Sequence, residues 1–176
     1  MSPSIRRADL SDAEALAALA ARTFHDTFAA DNRPEDMAAF LAASFGPTQQ
    51  ARELADPDLT TLLVEIGAQA VGYAQLRRGP APPCVRGSAP IELWRFYVAK
   101  EWHGQGVAPA LMARVTAEAH RLGAGTLWLG VWERNERAKA YYRKSGFADV
   151  GQHVFLLGTD AQTDRILVRP VAAEGA

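Results

Sequence analysis

Leu16, Ala20, Phe24 and Phe28 recur every fourth residue among polar neighbours, which predicts a helix with one apolar stripe turned to a core. A short extended run at Ile5 to Ala8 precedes it, and Ser11-Asp12-Ala13-Glu14 has capping-box spacing at its head. Asn32-Arg33-Pro34 interrupts the pattern. A second helix is predicted from Glu35 to Ser44 and a short third from Thr48 to Ala55, set off by Pro47 and Pro57. Thr60 to Ile66 and Ala70 to Arg77, joined at Gly67-Ala68, predict an antiparallel hairpin. Residues 79–90, with four prolines, read as a long loop that is functional or mobile. A strand over Ile91 to Val98 follows, then a helix with Val107, Leu111, Val115 and Ala119 on one face, and a strand over Thr126 to Val131. A helix from Asn135 to Ser145, closed by Gly146, and strands near Ala148 to Leu157 and Arg165 to Val168 complete the chain.

This order predicts one α/β or α+β domain over residues 1–176, built on a mixed sheet. The unit from 91 to 131 is expected to be a right-handed crossover with two parallel strands. Apolar and charged fractions of 48% and 22% suit a globular chain. The first residues lack a signal-peptide core and no run is long enough to span a bilayer, so the expectation is a cytoplasmic protein without a membrane partner. Cys84 is the only cysteine, which excludes an internal disulfide, and the four histidines have no ligand spacing, so no metal is expected. Residues 1 to 60 hold ten acids against five arginines, while residues 98 to 150 hold eight bases against five acids. Either these are solvated helix faces, or an acidic end attracts a cation and a basic end a polyanion. No tract is basic enough to suggest nucleic acid.

The stretch His103-Gly104-Gln105-Gly106-Val107-Ala108 lies between a predicted strand and a predicted helix. Glycines there permit positive φ and close approach, and the first free N–H groups of a helix favour phosphate oxygens. No Gly-Lys-Ser/Thr follows, so it is not a P-loop; Pro109 stands where a dinucleotide fingerprint needs its third glycine. A plain tight turn remains the alternative on this stretch alone.

The segment resembles the acetyl-coenzyme A motif Arg/Gln-x-x-Gly-x-Gly/Ala of the GCN5-related N-acetyltransferase (GNAT) superfamily, with His103 at the usual Arg/Gln place. A second family segment, Asn-x-x-Ala-x-x-aromatic-Tyr followed by Gly-Phe, is matched by Asn135, Ala138, Tyr141, Tyr142, Gly146 and Phe147. Thr23 to Phe28, Asn32 to Asp36, Trp128 to Asn135 and Gly158 to Asp164 are similar to bacterial spermidine/spermine N-acetyltransferases of the PaiA type. The resemblance implies a mixed, mostly antiparallel sheet of about seven strands flanked by helices, with a splayed parallel pair. It also implies acetyl-coenzyme A as cosubstrate, held by Phe96, Tyr97 and Val98 on the strand, by His103 to Ala108 (through Gly104, Gln105, Gly106 and Val107), and by Asn135, Ala138 and Tyr142.

Acetyl transfer to an amine requires a neutral nitrogen, a polarised carbonyl and a protonated leaving sulfur. An alkylamine is almost wholly protonated at neutral pH, so a carboxylate must take its proton, directly or through water. Glu92 is the candidate, read as in phase with Trp94, Phe96 and Val98 and matching the family's strand-borne base; the alternative is an ion pair with Arg95 or Arg77. By resemblance the Val98 amide is the oxyanion donor and Tyr142 the acid that serves the sulfur. Tyr141 is expected to pack, Asn135 to cap its helix as well as touch the pantetheine arm, and Arg143 or Lys144 to meet coenzyme phosphate. Cys84 as an acyl carrier lacks a neighbouring base.

For the acceptor, the first two helices and the loop before residue 91 are expected to shape the pocket, with Phe28, Asp31, Glu35 and Trp94 as candidate contacts to a small cationic amine such as spermidine. A protein N-terminus or lysine, an amino acid, an aminoglycoside, or a regulatory acyl-coenzyme A module without turnover are the rival readings. A homodimer through the late strands is compatible with any of them.

Overall fold

The computed structural model describes residues 2–171. In chain order the elements are β1 (Ser4–Arg7), α1 (Ala13–Phe28), α2 (Pro34–Ser44), α3 (Pro47–Ala55), β2 (Leu59–Ile66), β3 (Gln69–Arg77), β4 (Pro90–Val98), α4 (Val107–Arg121), β5 (Thr126–Trp132), α5 (Glu136–Lys144), β6 (Ala148–Leu157) and β7 (Asp160–Pro170). The seven strands form one sheet in the order β1-β2-β3-β4-β5-β7-β6, antiparallel throughout except for β4 beside β5. This is the mixed, mostly antiparallel sheet flanked by helices that was expected.

Two apolar layers sandwich the sheet. Leu62, Val64, Leu76, Leu93, Leu127 and Leu129 meet Leu111 and Val115 of α4 on one face. Leu63, Tyr73 and Leu157 meet Leu16, Phe24 and Met37 of α1 and α2 on the other. The four-residue stripe of α1 is buried through Leu16, Ala20 and Phe24, while Phe28 at its end is only half-buried.

Three local expectations change. The capping box belongs to Asp9 and Asp12, with Asp9 Oδ1 accepting from the Ser11 N–H and Asp12 Oδ2 from the Asp9 N–H, so the caps start two residues earlier than Ser11-Glu14 proposed. The last strand is longer than Arg165 to Val168, because Gly158 at φ 60° lets β6 and β7 close a two-residue turn and pair from Leu157 and Asp160 onward. The third change lies in β4. Gln75 pairs with Arg95 but Leu76 with Leu93, so Trp94 is an extra, bulged residue. Because strand side chains alternate with period two, the bulge puts Glu92 out of phase with Phe96 and Val98 and onto the face of Arg95 and Tyr97.

The β4–β5 ladder is short. It runs only through Pro90–Thr126, Ile91–Leu127 and Glu92–Trp128, beyond which the parallel strands part. The loop before β4 is pinned at the opposite end of the strand: a Cβ on Gly87 would stand 1.9 Å from the Thr126 hydroxyl, and one on Gly125 would stand 2.2 Å from that of Ser88. Among the described residues no helix is long and apolar enough to cross a membrane.

Candidate active site

Two cavities open on the gap between the parted strands, sharing Phe96, Tyr97, Asn135, Ala138 and Tyr142 as a common wall. One is a groove of about 340 Å³ beside the glycine turn; the other, of about 380 Å³, lies under α1 and α2.

The groove is built largely from backbone. Gly104 and Gly106 both adopt positive φ, 77° and 81°, and Gly106 caps α4. Cβ atoms at these glycines would meet open space, so the backbone conformation, and not crowding, calls for glycine. Gly104, Gln105 and Gly106 are exposed between His103 and Ala108, which line the groove; Pro109 falls in the first turn of α4, where a missing N–H costs no helical bond. The position that departs from the family pattern has a definite contact: His103 Nε2 donates to the Val98 carbonyl at 2.7 Å, tying the turn to the end of β4.

Val98 is oriented by its neighbours. The Ala99 N–H donates to the Val71 carbonyl at 2.8 Å, on the β3 side. Since N–H groups alternate sides along a strand, that of Val98 points the other way, into the gap left by β5. Across that gap stands α5, started by Asn135, whose Oδ1 accepts from the Ala138 N–H at 3.1 Å. One turn later Tyr142 lies against Phe96, Tyr141 and Phe147, with centroids 6.3, 5.6 and 5.7 Å away. Desolvation pushes the Tyr142 phenol well above its ordinary pKa, which keeps it protonated.

The second cavity combines aromatic walls with four charged side chains of the sheet. Phe24, Phe28, Phe40 and Phe45 form its roof, and Trp132 meets Phe28 edge-on at 5.9 Å. Glu92 is 9% exposed and accepts from Arg77 Nε at 2.8 Å, with Arg77 Nη2 2.7 Å from the same oxygen. Burial raises the Glu92 pKa, and the Arg77 charge only partly opposes this. Trp94 lies under both guanidiniums, 4.1 Å from Arg77 and 3.8 Å from Arg95. Arg95 is itself held by Glu53 at 2.6 Å and by Gln75 at 2.8 Å.

The structure therefore gathers Phe28, Glu92, Trp94, Phe96, Tyr97, Val98, His103, Ala108, Asn135, Ala138 and Tyr142 around the two cavities. Asp31, Glu35 and Arg143 line neither and are exposed; Gly104, Gln105, Gly106 and Val107 adjoin the groove without lining it, and no residue of the loop 79–89 lines either cavity. Asp36, in the same acidic region, is buried and accepts from the Thr159 backbone at 2.8 Å and from Arg33. Asp26, a candidate for the acceptor ammonium by its place in the acidic third, lines the groove instead, and Lys100 and Arg137 in the groove and His153 and Asp164 in the cavity were not among the predicted site residues. Arg137 sits inside the Asn135–Ala138 segment and was within reach of that pattern; His153 and Asp164 had no local signal.

A family model described as acetyltransferase (GNAT) family matches residues 17–147. An uncharacterized N-acetyltransferase of Mycobacterium tuberculosis is 38% identical over 160 residues, covering 91% of this chain and 98% of the relative. The crystal structure of the PaiA N-acetyltransferase of Thermoplasma acidophilum in complex with coenzyme A superposes with a TM-score of 0.79 at 18% identity, over 97% of this chain and 99% of that one. The structure of YncA of Salmonella typhimurium with its cofactor acetyl-CoA gives a TM-score of 0.68 at 22% identity, over 100% and 98%.

Proposed function

We propose, from the premise that the chain belongs to the GNAT acetyltransferase family, that it moves an acetyl group from acetyl-coenzyme A to a primary amine by direct attack in a ternary complex. The observation that carries this reading is the pair of cavities meeting at one wall, with Tyr142 in that wall and Val98 beside it on the groove side. The glycine turn and the start of α4 hold pyrophosphate, Asn135 and Ala138 border the pantetheine arm, and Lys100 and Arg137 supply positive charge in the groove. Arg143, outside the groove, is left to solvent.

The chemistry divides among these groups. The ammonium of the acceptor loses a proton toward Glu92 through water, and the freed nitrogen lone pair forms the new C–N bond at the thioester carbon. The oxygen that gains the electron pair accepts a hydrogen bond from the Val98 N–H. As the C–S bond breaks, Tyr142 gives its proton to sulfur and regains one as the nitrogen sheds its second. Glu92 suits a base because burial holds its pKa above that of a free glutamate, closer to neutrality. The reading covers the whole chain as one cytoplasmic transferase unit.

For the acceptor we infer a small cationic amine, with spermidine and spermine first to be tried, a reading supported by the acidic and aromatic lining of the second cavity. The test is a panel of polyamines, monoamines, amino acids, aminoglycosides and peptides with thiol release as readout. Release with small cationic amines is expected. Tight acetyl-coenzyme A binding by calorimetry beside no thiol release with any amine points instead to a non-catalytic binding module.

A further inference from the structure

The carboxylates of the acceptor cavity are not equivalent. Glu92 is engaged by Arg77 and Arg95 by Glu53, whereas Asp164, also in the cavity wall, has no guanidinium. Asp164 is 9% exposed and, His153 apart, no side chain among the described residues donates to it. The side chain directly opposite in the β6–β7 register is His153, with Nε2 3.7 Å from Oδ2. A buried carboxylate with only a distant donor is costly to a fold, and that cost is tolerated where a ligand supplies a closer partner.

Position points the same way. Strand β5 serves as a ruler: Glu92 is level with Trp128, and Asp164 is level with Trp132, four residues on. At the usual strand rise that is roughly 13 Å nearer the end where Asn135 and Tyr142 stand. Tyr97, in the wall shared with the groove, feels the Asp164 charge. Gly130 keeps the floor open, since a Cβ there would lie 3.1 Å from both Asp164 Oδ2 and His153 Nε2. The surrounding faces are aromatic, Phe28 against Trp132 and Phe40 against Phe155 at 5.5 Å, which suits both an apolar stem and a cation.

We propose that Asp164, with His153 beside it, is the anchor for the reacting ammonium, and that it selects protonated primary amines on apolar stems over neutral nucleophiles. The inference rests on the transferase reading and deepens it: Asp164 binds the cation, and Glu92 remains the sink of its proton.

Acetyl transfer near pH 8 to phenylethylamine or spermidine, whichever turns over faster, is compared with transfer to phenylhydrazine, which is uncharged there. Asp164→Asn is expected to raise KM for the ammonium substrate at least about tenfold and KM for phenylhydrazine less than about twofold, with a much smaller change in kcat. Coenzyme A affinity by calorimetry, unchanged, reports an intact fold. Gly130→Ala, which crowds both side chains, is expected to show the same selectivity and serves if the first variant loses coenzyme binding. An equal rise for charged and neutral nucleophiles, or none, overturns the assignment of Asp164 while leaving the transferase reading standing. A wild-type protein that binds acetyl-coenzyme A and transfers to no amine overturns both.

Discussion

The groove and the acceptor cavity meet at one wall yet are made in opposite ways. The groove takes its shape from a contiguous run, His103 to Ala108, in which two positive-φ glycines and the head of α4 present backbone amides. The cavity takes its charges from side chains of β3, β4, β6 and β7, brought together only by strand pairing. Backbone donors recognise a fixed group such as pyrophosphate and survive changes of side chain. Side chains gathered from distant segments can be exchanged singly, so the donor half of the site is expected to be generic and the acceptor half particular to this chain.

The sharpest test of that division pairs Tyr142, in the wall both halves share, with Glu92, which lines the second cavity alone. Tyr142→Phe removes the proposed acid for sulfur and Glu92→Gln the proposed proton sink, and each is expected to lower kcat by about 10²- to 10³-fold, with the coenzyme dissociation constant within about twofold of wild type. Stopped-flow thiol release with calorimetry separates the two quantities. Unchanged turnover in both variants would remove these residues from the mechanism.

Next in size is a change confined to the groove. Gly106→Val forces a β-branched residue to φ near 81°, a strain of about 1–2 kcal/mol, and disturbs the amides that cap α4. Coenzyme affinity is expected to fall roughly 30-fold while acceptor KM, measured at saturating coenzyme, holds. A change in acceptor KM of the same size would show that the two halves are not separable.

The acceptor side offers a stability signature. Burial raises the Asp164 carboxyl from 3.8 to about 6, with His153 opposing the shift. The folded state thus keeps a proton that the unfolded chain releases between these values, so stability declines as pH climbs from about 4 to about 6 and stays lower above. At higher pH the ionised carboxylate costs the fold about 2 kcal/mol, allowing for its access to solvent through the cavity. Asp164→Asn is therefore expected to be more stable than wild type near pH 8 and equal to it near pH 4, by urea unfolding, while it binds the acceptor worse. No gain at pH 8 would mean that Asp164 is satisfied in the empty cavity.

What the sequence disclosed follows the same division. The glycine turn, the Asn135 cap and the order of elements were legible because each is set within a few residues by glycine conformations, caps and hydrophobic period. Glu92 was read on a false phase, since the Trp94 bulge is decided by how β4 leaves β5 and not by β4 itself. His103 was opaque because its partner is a backbone carbonyl, which carries no residue identity. His153 and Asp164 were invisible for a plainer reason: eleven positions apart, they meet only through the register of a hairpin whose turn lies at Gly158.

The smallest expected effect tests the same contrast from the outside. Charge counting along the chain assigned the acceptor to the acidic N-terminal third, through Asp31 and Glu35. Both are exposed and outside the cavity wall, and the nearest approach of Glu35 to a cation is 3.8 Å from Arg33, each side chain more than half exposed. Charges in that setting are screened within about 10 Å at 0.1 M salt and contribute little to a bound state. Asp31→Asn and Glu35→Gln, singly or together, are expected to leave acceptor KM within about twofold at 0.15 M salt, with a modest slowing of capture only at low ionic strength. A salt-independent rise of several-fold would return these helices to the binding site and make the acceptor a longer polycation, reaching from Asp164 past Phe28 to the surface of α2.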